Sequence, residues 1–200
     1  MYSILEESIG QIEISRSVFI AIARHIESKD EIKDVLIDIK KKCPKAKHYC
    51  YATIIGNYQK SSDDGEPKGT AGKPILDVLK KCELDKVIVV VVRYFGGVLL
   101  GASRLLRAYV ESSNLTLEKA TKYKIVEGFR YSLEVEYALF DELKNYLISN
   151  DVIIEESRFE EKIYLTIFTK EDNIKDLDNV FNKKIIYQLL AHTYKYMKEA

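Results

Sequence analysis

The chain has 200 residues, 46% of them apolar and 31% charged, with 31 Lys and Arg against 31 Asp and Glu. That length builds one large domain or two small ones, no apolar run approaches the ~20 residues of a membrane helix, and a zero net charge does not by itself diagnose a nucleic-acid partner. Cys43, Cys50 and Cys82 are odd in number and lack Cys-x-x-Cys spacing, which argues against a disulfide framework and against a zinc site.

The first residues, Met1 to Glu7, lack the basic-then-apolar order of a signal peptide, so a cytoplasmic protein with no membrane partner is expected. Residues 11–26 alternate as extended structure, with Val18, Ile20 and Ile22 on one face and Phe19, Ala21 and Ala23 on the other. Ile32, Val35, Leu36 and Ile39 form a helical stripe over 30–42, with Asp30 as N-cap and Lys40, Lys41 and Lys42 at the end that the macrodipole makes favourable for cations. Residues 48–58 are β-branched and aromatic and read as a strand. Gln59 to Gly72 is polar, glycine-rich and interrupted by Pro67, a long loop of a kind that is often functional.

A second helix follows with Ile75, Val78, Leu79 and Cys82 inward. The most apolar run, residues 87–92, is a buried strand that ends in Arg93, Tyr94, Phe95, Gly96 and Gly97. Gly101 closes this loop, and a third helix runs from about 102 to 117 with Leu105, Leu106, Tyr109 and Val110 on its stripe. Behind a polar stretch at 119–124 comes a strand at 124–136, a helix at 139–149, strands at 152–158 and 161–169, a helix at 172–182 and a strand from Ile185 to Leu190. That order, βαββαβ, is the ferredoxin-like pattern. Two domains are expected, 1–121 and 122–200. Residues 1–122 hold 20 Lys and Arg against 16 Asp and Glu, a balance of +4, so the front domain is modestly basic and the back one acidic.

Four constellations bear on function. Free N–H groups where the 61–74 loop enters its helix would form an anion site beside Lys73. It is not a nucleotide-binding P-loop, since Pro67 stands five before Gly72 and Pro74 where Ser or Thr would hold magnesium. Asp63, Asp64 and Glu66 either brace this loop or hold a divalent cation. Arg93 either binds a phosphate or pairs with one of those carboxylates. The glycines Gly96, Gly97 and Gly101 allow positive φ and close backbone approach, and Arg104 and Arg107 add positive potential on the helix that follows. His48 and Cys50, two apart on a strand, share a face. A Cys/His nucleophile pair is conceivable there, although packing is the favoured reading.

The sequences Ser62-Asp63-Asp64-Gly65-Glu66-Pro67-Lys68-Gly69-Thr70-Ala71-Gly72-Lys73-Pro74 and Val91-Val92-Arg93-Tyr94-Phe95-Gly96-Gly97-Val98-Leu99-Leu100-Gly101 resemble the IMPACT family, in its bacterial YigZ-type branch. Arg107-Ala108-Tyr109 and His48 to Ala52 fit as well, and the resemblance covers roughly residues 10–118. It implies an α+β chain whose N-terminal domain is of ribosomal-protein-S-five second-domain type, like elongation factor G domain IV, and whose C-terminal domain is ferredoxin-like. Two positions depart from the family pattern: Leu99 stands where lysine is usual, and Ser103-Arg104 where a Gly-Gly pair is usual.

The resemblance implies nucleic-acid or ribosome binding by analogy of fold. Eukaryotic relatives regulate translation by keeping a starvation-sensing kinase from its activator, through a different partner domain, so that role does not carry over. The favoured expectation is a non-catalytic RNA- or ribosome-binding protein that regulates translation, with Lys73, Arg93, Arg104 and Arg107 on phosphates and no cofactor or metal. The alternatives are an enzyme for a small phosphorylated or carboxylated substrate at the 61–74 and 93–107 loops, and a regulator that binds a translation-associated protein through a sheet face carrying Tyr131, Tyr164 and Tyr187.

Overall fold

The computed structural model describes residues 1–172, 174 and 176–198. The chain forms two compact units, the first built on Met1–Lys124 and the second on Ile125–Met197.

The first unit holds a five-stranded antiparallel sheet in the order β2-β3-β6-β4-β5. Strands β2 (Ser8–Ile14) and β3 (Ser17–His25) form one hairpin, so the extended run expected at 11–26 is two strands joined by a two-residue turn. Ser15 and Arg16 both adopt positive φ, 49° and 65°, as a turn matching the strand twist requires. Strand β4 (His48–Ile55) turns back into β5 (Tyr58–Ser62), which takes the first residues of the expected loop and shortens it to 63–71. Short β1 (Tyr2–Ile4), unforeseen in the sequence, pairs with residues 122–124.

Strand β6 (Val87–Tyr94) lies between β3 and β4, with both of its faces covered. Val87, Val89 and Val91 join Phe19, Ala21, Cys50 and Ala52 beneath α2 (Gly72–Lys81) and α3 (Ala102–Lys119). Ile88, Val90 and Val92 join Ile22 and Tyr51 beneath α1 (Glu31–Lys42). A strand buried on both sides has no solvent face and hence no polar alternation. Asp30 makes no side-chain cap on α1; the Glu31 carboxylate instead accepts the N–H groups of Glu27 and Ser28 at 3.0 and 2.8 Å.

In the second unit β7 (Lys122–Val135) pairs with β9 (Ile163–Thr169) and with β10 (Ile186–Lys198), and β9 pairs with β8 (Ile153–Phe159). Both β7–β9 and β8–β9 are antiparallel. Helices α4 (Tyr137–Ser149) and α5 (Asp176–Val180) close a core of Tyr131, Leu133, Leu143, Leu147, Leu165, Ile167 and Leu177. The helix expected over 172–182 is thus shorter, and Asn173 and Lys175 lie outside the described residues. Tyr131 is buried in this core and Tyr187, half-buried, packs edge to face on it, 6.4 Å between ring centres, so Tyr131 is not part of an exposed docking face.

Candidate functional site

The two loops singled out in the sequence meet at the end of β6. Arg93 leaves the buried strand with only 6% of its side chain exposed, and its Nη1 lies 2.6 Å from Oε1 of Glu66, itself 3% exposed. The Tyr109 hydroxyl donates to the same carboxylate oxygen at 2.9 Å. A charged pair this deep persists because each member supplies what the other lost with water. Arg93 therefore braces the acidic loop. It is stacked between the rings of Phe19 and Phe95, 5.4 and 5.6 Å away, and does not face outward beside Lys73. Its Nε, buried, has no hydrogen-bond partner among the described residues.

The other two carboxylates of the loop are also taken by protein donors. Asp63 accepts the N–H groups of Gly69 at 2.8 Å, Ala71 at 3.1 Å and Gly72 at 2.8 Å. Burial acts to raise its pKa, but the three N–H bonds outweigh this and hold it below the usual carboxylate range. The anion site expected at the start of α2 is thus filled from within: the free N–H groups are those that Asp63 binds. Asp64 Oδ2 accepts the Tyr49 N–H at 2.7 Å. Among the described residues no group of three or more His, Cys, Asp or Glu is placed to hold a metal ion. Lys73 pairs with Asp77 one turn along α2.

The three glycines of the 96–101 loop serve different ends. Gly97 and Gly101 have φ of 82° and 74°, which L residues avoid. At Gly96 a Cβ would stand 2.1–2.4 Å from the backbone of Arg16 and Ser17, so the close approach is to the β2–β3 turn.

Cys50 is fully buried, its Sγ 2.9 Å from the Asp63 carbonyl and 3.3 Å from the Tyr109 hydroxyl. Burial pushes its thiol up to about 12, so it is no nucleophile near neutrality. His48 is placed differently. Its Nδ1 lies 2.8 Å from the Asp64 carbonyl oxygen. A carbonyl only accepts, so Nδ1 carries a proton, and Nε2 is an acceptor in the neutral form of the ring and a donor in the protonated one. Nε2 is 3.9 Å from Glu66 Oε1, beyond hydrogen-bond reach.

His48, Glu66 and Arg93 line a cavity of about 330 Å³ together with Lys47, Phe95, Leu100, Gly101, Ala102 and Leu105. Ala102 opens α3, whose N-cap Gly101 has no side chain to bond the first N–H groups. Arg104 and Arg107 are exposed on that helix and make no ion pair among the described residues. Lys47 and the start of α3, which sequence reasoning did not connect, are brought to one place by the β6–β4 pairing of Arg93 with His48.

Residues 15–117 match the Impact N-terminal domain, and residues 133–180 match a domain of unknown function, DUF1949. An IMPACT family member of Haemophilus influenzae is 33% identical over 187 residues, which span 89% of this chain and 91% of that protein. YvyE of Bacillus subtilis, also an IMPACT family member, is 33% identical over 175 residues, 85% of this chain and 80% of its own. The crystal structure of a hypothetical protein at 29% identity superposes with a TM-score of 0.64 over 95% of this chain and 96% of that one.

Proposed function

The chain belongs to the IMPACT family, and on that footing we propose that it is a non-catalytic RNA- or ribosome-binding protein that acts in translation in the cytoplasm. One observation carries this reading. At the 63–71 and 95–101 loops every acidic side chain is engaged by protein donors, whereas Lys47, Arg104, Arg107 and the open start of α3 remain for an outside anion. A surface whose negative charges are internally neutralised presents a positive field. Phosphate contact falls to these groups, with Lys73 and Arg93 already paired.

We assign the first domain, 1–121, to the ribosomal-protein-S-five second-domain type and the second, 122–200, to the ferredoxin-like type. The strand order β10-β7-β9-β8, with a helix after β7 and another after β9, supports the latter. No described helix is long and apolar enough to cross a membrane.

Fluorescence anisotropy with a single-stranded RNA tests the reading. Binding should weaken steeply with salt, log affinity falling by about 0.7 per neutralised charge for each tenfold rise in salt, and Arg104→Ala with Arg107→Ala should lower that slope by about 1.4. Absence of binding at low salt, or a slope unmoved by the double variant, overturns it. A second reading, an enzyme for a small phosphorylated substrate, draws on the meeting of His48, Glu66 and Arg93 at one cavity. Turnover of a phosphorylated substrate that is lost in His48→Asn would favour it over the first.

A further inference from the structure

The cavity at the start of α3 carries more on its walls than a grip on an RNA backbone uses. Its polar side holds Lys47, His48 Nε2 and the first turn of α3. The N–H groups of Ala102, Ser103 and Arg104 have no acceptor among the described residues, since Gly101 supplies no cap and the first helical bond runs from the Leu105 N–H to the Gly101 carbonyl. A helix start with unbonded N–H groups and the positive end of the dipole favours an anion. Independently, Arg93 lines the same cavity, is 94% buried in its side chain, and keeps an Nε without a partner. Buried donors in native proteins are nearly all bonded, and an exception calls for an explanation, such as a water or ion that completes it. The lining also holds Phe95, Leu100 and Leu105, and Phe95, 42% exposed, has the Lys47 ammonium over its ring at 5.3 Å.

We propose that this cavity binds a phosphate monoester with a flat or apolar body, of which a nucleoside 5′-monophosphate is the simplest case. The phosphate sits on the α3 N–H groups and Lys47, and the body lies against Phe95. A terminal phosphate brings three free oxygens and up to two negative charges to three N–H donors and an ammonium, where a carboxylate brings two oxygens and one charge. A monoester, whose second pKa is about 6, is largely a dianion at neutral pH; His48 Nε2 accepts from its P–OH in the monoanion and donates to it when the imidazole is protonated. An internal phosphodiester brings only one charge and two free oxygens. The cavity therefore selects a terminal phosphate, where the exposed arginines do not, and this goes beyond the RNA reading. The volume, about 330 Å³, is at the small end of ligand sites, which start near about 300 Å³.

The test is titration of the ¹⁵N-labelled full chain with adenosine 5′-monophosphate, adenosine and inorganic phosphate. The monophosphate should shift the amides of Ala102, Ser103 and Arg104, inorganic phosphate should shift the same amides more weakly, and adenosine should leave them in place. Two variants keep the fold while removing contacts. Ala102→Pro deletes one N–H at a helix position that accepts proline. His48→Asn retains a donor for the Asp64 carbonyl where Nδ1 stood and removes Nε2. Each should weaken the monophosphate about tenfold, the loss of one charge-assisted hydrogen bond. A 5′-phosphorylated oligonucleotide bound more tightly than its 5′-hydroxyl form identifies an RNA end as the source. Equal affinity of the two, or binding of neither, with retained monophosphate binding identifies a free small molecule. The proposal is overturned if millimolar monophosphate moves no α3 amide, or if both variants bind it like the parent. Failure of the RNA reading shows separately, as loss of all oligonucleotide binding at low salt.

Discussion

Arg93 carries its charge into the interior from the last residues of a strand covered on both faces, and its partner comes from a loop 27 residues earlier. Breaking a buried pair leaves an uncompensated charge, whereas replacing both members removes the problem. Arg93→Met should cost about 3–5 kcal/mol. The double variant Arg93→Met with Glu66→Met should fall short of the summed single losses by about 1–3 kcal/mol. Urea unfolding followed by far-UV circular dichroism measures this, the chain having no tryptophan. Additive losses would mean that the two side chains do not act as a pair. The residue types at this junction were legible: a buried strand that ends in arginine, and three carboxylates in a glycine-rich loop. Which carboxylate Arg93 meets was not, because the choice depends on β4 lying beside β6, and both Glu66 and Tyr109 reach the pair from elements distant in sequence. Gly96 shows the same limit. Its need for glycine comes from the backbone of Arg16 and Ser17, a neighbour 79 residues away in the chain.

At the scale of elements, α2 is capped from an unexpected distance. The usual cap is the residue just before the helix, and here that position is Ala71 without a side-chain bond. Asp63, nine residues before Gly72, fills the role and folds the loop 63–71 around its carboxylate. Periodicity located α2 and α3 and, apart from Leu106, which is 40% exposed, the apolar stripe on each, since those depend on neighbours along the chain. It could not assign the cap, which depends on the β4–β5 hairpin delivering Asp63 to the helix start. Asp63→Asn should lower stability at neutral pH by about 1 kcal/mol, the ordinary worth of a cap. The sign of the acid effect follows from the lowered pKa of Asp63. The contribution is present above the unfolded carboxylate value of about 3.9 and is lost as pH falls through the lower folded value. The gap between parent and variant, read from urea midpoints, should therefore stay constant down to about pH 4 and close below it. A gap that persists in strong acid would assign the role of Asp63 to something other than its charge.

At the scale of the whole molecule, the apolar residues sort into separate cores. Two lie on opposite faces of the first sheet, and the third is enclosed by strands and helices of the second unit alone. The second unit, Ile125–Met197, falls below about 80 residues, where one core supplies only about 3–5 kcal/mol. Leu143 is fully buried in it. Trimming a buried leucine to alanine removes transfer energy and leaves a cavity, a loss of about 2–5 kcal/mol. Leu143→Ala should therefore consume most of the stability of that unit. Hydrogen exchange reads the outcome element by element. Amides of β8 and β9 should lose protection in the variant, while those of β6, whose side chains lie in the other two cores, should exchange as in the parent. If β6 amides lose protection in step with β9, the two units unfold as one and the separation of cores does not govern stability. If they hold, a loss confined to the second unit leaves the Arg93–Glu66 junction and the cavity beside α3 intact. Binding at that cavity can then be measured in a chain whose second unit is destabilised.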